Sequence, residues 1–178
     1  LGKTQAALIA ARREHLAALR SRGRDPFAQT RYPVDATCAE VAQRYAELGA
    51  QERAESETWH LAGRVMSKRG MGKTVFADVA DRTGRIQVYV RKDELGDDRF
   101  ADWEAIERGD IVGVAGFVFR SKMGELTLHV TDFAVLAKAL ATLPDKWHGL
   151  QDVEKRYRQR YVDLIVNDDL RDTFVNRS

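Results

Sequence analysis

Residues 74–90 read Thr74-Val75-Phe76-Ala77-Asp78-Val79-Ala80-Asp81-Arg82-Thr83-Gly84-Arg85-Ile86-Gln87-Val88-Tyr89-Val90. Val75, Ala77 and Val79 alternate with Thr74, Phe76 and Asp78, and Ile86, Val88 and Val90 alternate with Arg85, Gln87 and Tyr89. Successive side chains of a strand point to opposite sides of the sheet, so a period of two marks two strands with one buried face each. Asp81-Arg82-Thr83-Gly84 between them has the composition of a hairpin turn.

Working outward, Leu61, Gly63 and Val65 alternate with Ala62, Arg64 and Met66 and predict a strand before this hairpin. Phe100 to Arg108 predicts a short helix stopped at Gly109. Two further strands, Ile111 to Phe119 and Glu125 to Val135, flank a Met123-Gly124 turn. The order βββαββ is that of an OB-fold, the small Greek-key barrel that binds oligonucleotides, although other five-stranded barrels share it. Upstream the period is helical. Thr4 to Arg22 carries strong helix formers with Gly23 where a cap belongs, Asp25-Pro26-Phe27 to Asp35 reads as a loop, and Thr37 with Glu40 forms a capping box for a second helix reaching Gly49. The change of period sets a boundary between Ser56 and Trp59. Downstream, Lys138 to Asp152 reads as a connector and Val153 to Asn167 as a helix, with another beginning at Thr173. The fold class is α+β, divided into a helical extension over 1–57, a five-stranded OB-fold β-barrel over 58–137 and a further segment over 138–178.

Composition narrows the function. The chain has 178 residues, 44% hydrophobic and 31% charged, with 29 Lys+Arg against 27 Asp+Glu. That apolar content excludes wholesale disorder, and a net charge of +2 excludes a histone-like polycation. The longest run without a polar side chain, Ile111 to Phe119, is far below the ~18 residues of a membrane span. No secretory leader is legible in Leu1 to Arg13, so a cytoplasmic setting is expected. The single Cys38 excludes an intrachain disulfide and a Cys-rich zinc site. His60, His129 and His148 show no metal-ligand spacing, and neither a Ser-His-Asp pattern nor a phosphate-binding glycine loop occurs. The expectation is therefore no metal and no catalytic residue of the chain's own.

Local charge is more telling than the total. Leu61 to Lys73 holds Arg64, Lys68, Arg69 and Lys73 without an acid, and a second basic set is Lys155, Arg156, Arg158 and Arg160. If the aliphatic residues fill the barrel, Arg64, Phe76, Gln87 and Glu125 face outward. Such a set suits single-stranded nucleic acid: a ring stacks a base, arginines meet phosphates, and an amide with a carboxylate reads a base edge. A carboxylate only accepts hydrogen bonds, so it favours the N3–H of uracil over the acceptor N3 of cytosine. On pattern alone, Phe76 is equally intelligible as packing under a neighbouring helix, and solvated surface is the default reading of Gln87, Glu125 and the basic residues.

The chain resembles the class II lysyl-tRNA synthetases. The resemblance is carried by Asp25-Pro26-Phe27, Ala62-Gly63-Arg64-Val65-Met66, Arg69-Gly70-Met71-Gly72-Lys73, Gly84-Arg85-Ile86-Gln87-Val88-Tyr89-Val90, the segment from Leu143 to Leu150, and Arg156-Tyr157-Arg158-Gln159-Arg160-Tyr161-Val162-Asp163-Leu164. It implies that the barrel is the family's anticodon-binding domain, that the preceding helices are its N-terminal extension, and that 138–178 is a linker with the helical start of a catalytic domain. It further implies that the residue at Phe76 stacks on the central uridine of the lysine anticodon, and that Arg64, Arg69, Gln87 and Glu125 contact anticodon bases or backbone. The partner implied is the tRNA(Lys) anticodon stem-loop, with no membrane, and a homodimer is expected for the full-length enzyme. That enzyme uses ATP and Mg2+ to attach lysine. The Phe-Arg-x-Glu and later arginine motifs that hold ATP in the family are missing from this sequence, so no cofactor and no aminoacylation are expected of the segment alone. The alternative is a stand-alone OB-fold module for RNA or other single strands, without ligase activity.

Overall fold

The computed structural model describes residues 4–144 and 152–177. Residues 145–151 of the expected connector, with His148 and most of the Leu143 to Leu150 motif, lie outside the described residues, as does Ser178. Contacts divide the chain into two compact units, one ending at Leu140 and one beginning at Ala141.

The first unit is a closed ring of five strands: β1 (Arg53–Met71), β2 (Thr74–Ala80), β3 (Arg85–Arg91), β4 (Ile111–Arg120) and β5 (Leu126–Ala137). They run in the order β1-β2-β3-β5-β4, and β4 pairs back onto β1. Every pairing is antiparallel except β3 with β5. This is the OB-fold arrangement, with the aliphatic sets of the alternating strands inside. Val65, Val79, Val88, Val90, Val112, Val114, Val118, Leu128 and Val130 are all fully enclosed.

β1 departs from its sequence reading at both ends. It starts at Arg53, upstream of the expected boundary, where a polar run lacking apolar alternation is held by pairing Arg53 with Phe119 and Ala54 with Val118. A register shift between Val65 and Ser67 then buries both Val65 and Met66, so that Ser67 and Arg69 face outward while Lys68 pairs with the inward Ala77. One inserted residue thus reverses the parity of the strand.

Three helices pack on the ring. α1 (Gln5–Ser21) is capped at its start by the Thr4 side chain. At its end the Gly23 and Arg24 N–H groups donate to the carbonyls of Arg20 and Leu19, both at 2.9 Å. Besides Leu16 and Leu19 it buries Arg12, whose guanidinium donates to the carbonyls of Ala139 and Arg108. The buried carboxylate of Asp102 is met by Arg22 and Arg24, which fastens the end of α1. α2 (Cys38–Arg44) has the expected capping box but stops short of Gly49: beyond it the chain tightens into i→i−3 turns, Ala46 N–H to Gln43 and Leu48 N–H to Tyr45, and the carbonyls of Tyr45, Ala46 and Leu48 accept from the Arg120 guanidinium. α3 (Lys92–Glu104) follows β3 directly and kinks at Gly96 instead of spanning Phe100 to Arg108. Its C-terminal carbonyls turn onto Lys68, whose ammonium donates to Trp103 at 3.0 Å, Glu104 at 2.7 Å and Ile106 at 2.6 Å.

In the second unit the expected single helix is two, α4 (Val153–Arg158) and α5 (Arg160–Val166), broken at Gln159, and α6 (Asp168–Val175) follows. The fully buried carboxylate of Asp163 accepts from Arg156 at 3.1 Å and Arg160 at 2.6 Å, and Arg158 pairs with Glu154. Much of the second basic set is therefore spent on holding these short helices.

Burial, reinforced by Lys138, lowers the Lys68 ammonium from 10.5 to about 8. The unfolded chain keeps this proton to about pH 10.5, so between pH 8 and 10.5 only the folded state releases it and stability rises. Urea unfolding across that interval is expected to show wild type gaining on the order of 2–3 kcal/mol relative to Lys68→Met. A constant difference between the two proteins contradicts this charge state.

Candidate nucleic-acid interface

The hairpin turn sets the register that builds the face. Asp81 accepts from the N–H of Thr83 at 2.6 Å and of Gly84 at 3.0 Å, and its own N–H donates to Gly84 at 3.0 Å. Phe76 and Tyr89, equally distant from this turn, become cross-strand partners. Both lie on the outer face, between the buried residues of their strands. Their rings meet at 4.7 Å between centroids with an interplanar angle of 40°, inside the range in which aromatic pairs attract.

The row continues around the ring. Tyr89 pairs with His129 across the parallel β3–β5 junction, and His129 with Phe117 across β5–β4. The His129 imidazole sits 5.2 Å from Tyr89 and 4.6 Å from Phe117, with its Nε2 bonded to Glu94 at the start of α3. Phe119 closes on Tyr89 at 5.8 Å, and the Arg53 guanidinium lies over the Phe117 ring at 5.1 Å. Gly116 makes the β4–β5 approach possible: a Cβ there would stand 1.8 Å from the carbonyl oxygen of His129. Arg69 heads the row as the exposed register partner of Phe76.

One step along the strands lies a polar row. Gln87 pairs with Asp78 on one side and Thr127 on the other. Gln87 is only 8% exposed. Nε2 donates to Glu125 Oε2 at 2.6 Å, and Oε1 accepts from the Thr127 hydroxyl at 3.0 Å. A buried amide left unpaired costs about 1–3 kcal/mol, so these two bonds fix Gln87 and, through it, the carboxylate of Glu125. Glu125 itself is exposed in the β4–β5 turn, just before β5 begins, and among the described residues no hydrogen bond engages its Oε1. It is an acceptor held rigidly at one oxygen and open at the other.

Of the five residues singled out in the sequence, Phe76, Gln87, Glu125 and Arg69 share this outer face. Arg64 does not join them. It pairs with Ala80 and Ile111, and its guanidinium donates to the carbonyl of Gly109 at 2.7 Å, where burial lowers its pKa. Lys68 is likewise withdrawn from the basic stretch, leaving Arg69 and Lys73 exposed. Tyr89, Phe117, Phe119, His129 and Arg53 were missed. Alternation with Val88, Val118 and Leu128 marks the first four as outward, and counting from the two turns pairs Phe76 with Tyr89 and Phe117 with His129.

Beside the row is a shallow groove of 280 Å3, slightly under the roughly 300–1,000 Å3 of small-molecule pockets. Tyr89, Phe119 and His129 line it with Arg53, Arg91, Arg120 and Lys122. A larger cleft of 680 Å3 between the end of α1 and β5 contains Arg20, Arg24 and Arg99. Those arginines are bonded to Asp25, Asp102 and Asp132, and the cleft has the character of a structural joint. Rings that stack, cations beside them and a fixed acceptor are the chemistry of a surface for single-stranded bases, whereas among the described residues no group of three or more His, Cys, Asp or Glu could hold a metal ion. Nor is any helix of the described residues long and apolar enough to cross a membrane.

Residues 59–136 match the OB-fold nucleic acid binding domain family. The chain is 51% identical over 173 residues to a lysine–tRNA ligase of Halalkalibacterium halodurans, covering 96% of this chain and 34% of that protein. It is 44% identical over 171 residues to the lysine–tRNA ligase of Clostridium tetani, covering 96% of this chain and 33% of the relative. The Staphylococcus epidermidis lysine–tRNA ligase is 46% identical over 170 residues, 94% of this chain and 34% of its own length. The chain spans about a third of the length of these relatives.

Proposed function

We propose that this chain is the anticodon-binding region of a class II lysine–tRNA ligase, and that its outer barrel face reads the central base of the lysine anticodon. The observation that carries the reading is the Gln87–Glu125 bond beside the Phe76–Tyr89 ring pair, on the outer face of an OB-fold. Similarity to the ligases extends over 94–96% of the chain, well outside residues 59–136, which favours a ligase region over a stand-alone binding module.

In this reading Phe76, backed by Tyr89, stacks on the central uridine. The open oxygen of Glu125 accepts its N3–H, and a cytosine at that position would set acceptor against acceptor. Arg69, with Arg53, Arg91 and Lys122 of the neighbouring groove, meets the phosphates. Arg64 holds the α3–β4 connection and contributes to the face only indirectly. Residues 1–57 are the helical extension with the first residues of β1 at its end, 58–137 the anticodon-binding domain, and 138–178 the linker with the start of the catalytic domain. The partner is a cytoplasmic tRNA(Lys), and the full-length enzyme is a homodimer. Its ATP and Mg2+ belong to the part of the ligase that this chain does not match.

Titration with anticodon stem-loops bearing UUU, UCU or UGU tests the reading. UUU is expected to bind tightest. Phe76→Ala should weaken it about ten- to a hundredfold, on the ~1–3 kcal/mol scale of base stacking. Glu125→Gln should chiefly relax discrimination against the central cytosine. Equal affinity of wild type for all three loops overturns the reading. The 178-residue chain alone is further expected to show no lysine-dependent ATP–pyrophosphate exchange, and measurable exchange would contradict the assignment of that chemistry elsewhere.

A further inference from the structure

Arg120 is the last residue of β4, five positions before Glu125, and its guanidinium is shared between two parts of the chain. Nη1 donates to the carbonyl of Gly124 at 2.8 Å, within the turn that presents Glu125. Nη2 donates to Tyr45 and Ala46, both at 3.0 Å, and Nε to Leu48 at 2.5 Å, at the C-terminal end of α2. The turn is closed internally as well. Ser121 N–H donates to Glu125 O and Gly124 N–H to Ser121 O, both at 2.9 Å, and Glu125 N–H donates to the Ser121 hydroxyl at 3.1 Å.

The other end of α2 is tied to the second hairpin. Cys38 N–H donates to Asp81 at 2.7 Å, and Ala39 N–H to the Thr83 hydroxyl at 3.1 Å. α2 is therefore a strut between the β2–β3 turn, which sets the register of Phe76 and Gln87, and the β4–β5 turn, which carries Glu125. Its far end reaches the β4–β5 turn through the Arg120 side chain, while backbone bonds from Gln51 N–H to Arg120 O at 3.1 Å and from Arg120 N–H to Glu52 O at 3.0 Å hold the end of β4 beside it.

We propose that Arg120 is a positioning residue for base discrimination, holding the Glu125 turn against α2 so that the carboxylate stands over the base edge. The inference rests on the anticodon-reading function above. A planar guanidinium with five fixed donors suits this work, since four carbonyls in different directions can be met at once. Donors spent on backbone carbonyls are not available to phosphates, although Arg120 lines the basic groove.

The two roles separate experimentally. Arg120→Met keeps the aliphatic stem and removes every donor. In titrations of the 178-residue chain with UUU and UCU stem-loops over a range of salt, this variant is expected to lose at least tenfold of the wild-type preference for UUU. The salt slope of UUU binding should stay at its wild-type value. A phosphate contact predicts the reverse, with preference kept and the slope reduced by about one. That outcome, or equal weakening of both loops with the preference intact, overturns the proposal. If Arg120→Met fails to fold, as judged by its melting transition, Arg120→Lys carries the test. It keeps the charge without the planar fork, and wild-type discrimination in that variant is likewise a refutation. Absence of UUU preference in wild type would instead remove the underlying reading.

Discussion

The parallel pairing of β3 with β5 is the constraint on which the face depends. Only three register pairs make it, Gln87 with Thr127, Val88 with Leu128 and Tyr89 with His129. Two antiparallel hairpins would otherwise each carry half of a surface: Phe76 and Tyr89 on one, Phe117 and His129 on the other. Joining them sets four rings in one row and brings Gln87 within 2.6 Å of Glu125. Val88 and Leu128 point inward at the same junction and are fully buried, so the apolar interior and the polar exterior enforce one register together. A slip by one residue would bury the rings and expose the valines.

Cationic side chains divide between building and binding. Lys68 and Lys138 close the C-terminal end of α3, Lys138 through Ala105 and the buried carboxylate of Asp110 at 2.6 Å, while Arg12 holds Arg108 and Ala139. Helix C-termini leave carbonyls unsatisfied and carry partial negative charge, so cations placed there serve packing. The groove presents Lys122 beside aromatic rings, together with Arg53 and Arg91, whose partly exposed guanidiniums are shared with Glu55 and with Asp93 and Glu94, and a polyanion there would compete with those surface pairs.

Much of this was legible in the residues. Alternation identified the strands, the capping box at Thr37 began α2 where expected, and the outward positions of Phe76, Gln87 and Glu125 followed from parity. What the sequence concealed was non-local or depended on an irregularity. The bulge between Val65 and Ser67 reverses the parity of β1, so Lys68 turned inward although the basic stretch read as one cluster. The first residues of β1 carry no alternation because they are held by the end of β4. His129 reads as a scattered histidine without ligand spacing; the β4–β5 turn pairs it with Phe117, but its place beside Tyr89 and Glu94 appears only when the ring closes. Arg120 lies one residue past the expected end of its strand at Phe119, and nothing local links it to the end of α2.

The central claim is that a base stacks on the ring at position 76 with its edge toward Glu125. Photocrosslinking with a lysine anticodon stem-loop carrying 5-iodouridine at the central position, followed by mass spectrometry of the crosslinked peptide, addresses it most directly. The account predicts attachment at Phe76 or its backing partner Tyr89, competed by unmodified UUU loop and much less by UCU. Crosslinks confined to residues 152–177, or spread over the basic surface without regard to the central base, would contradict it.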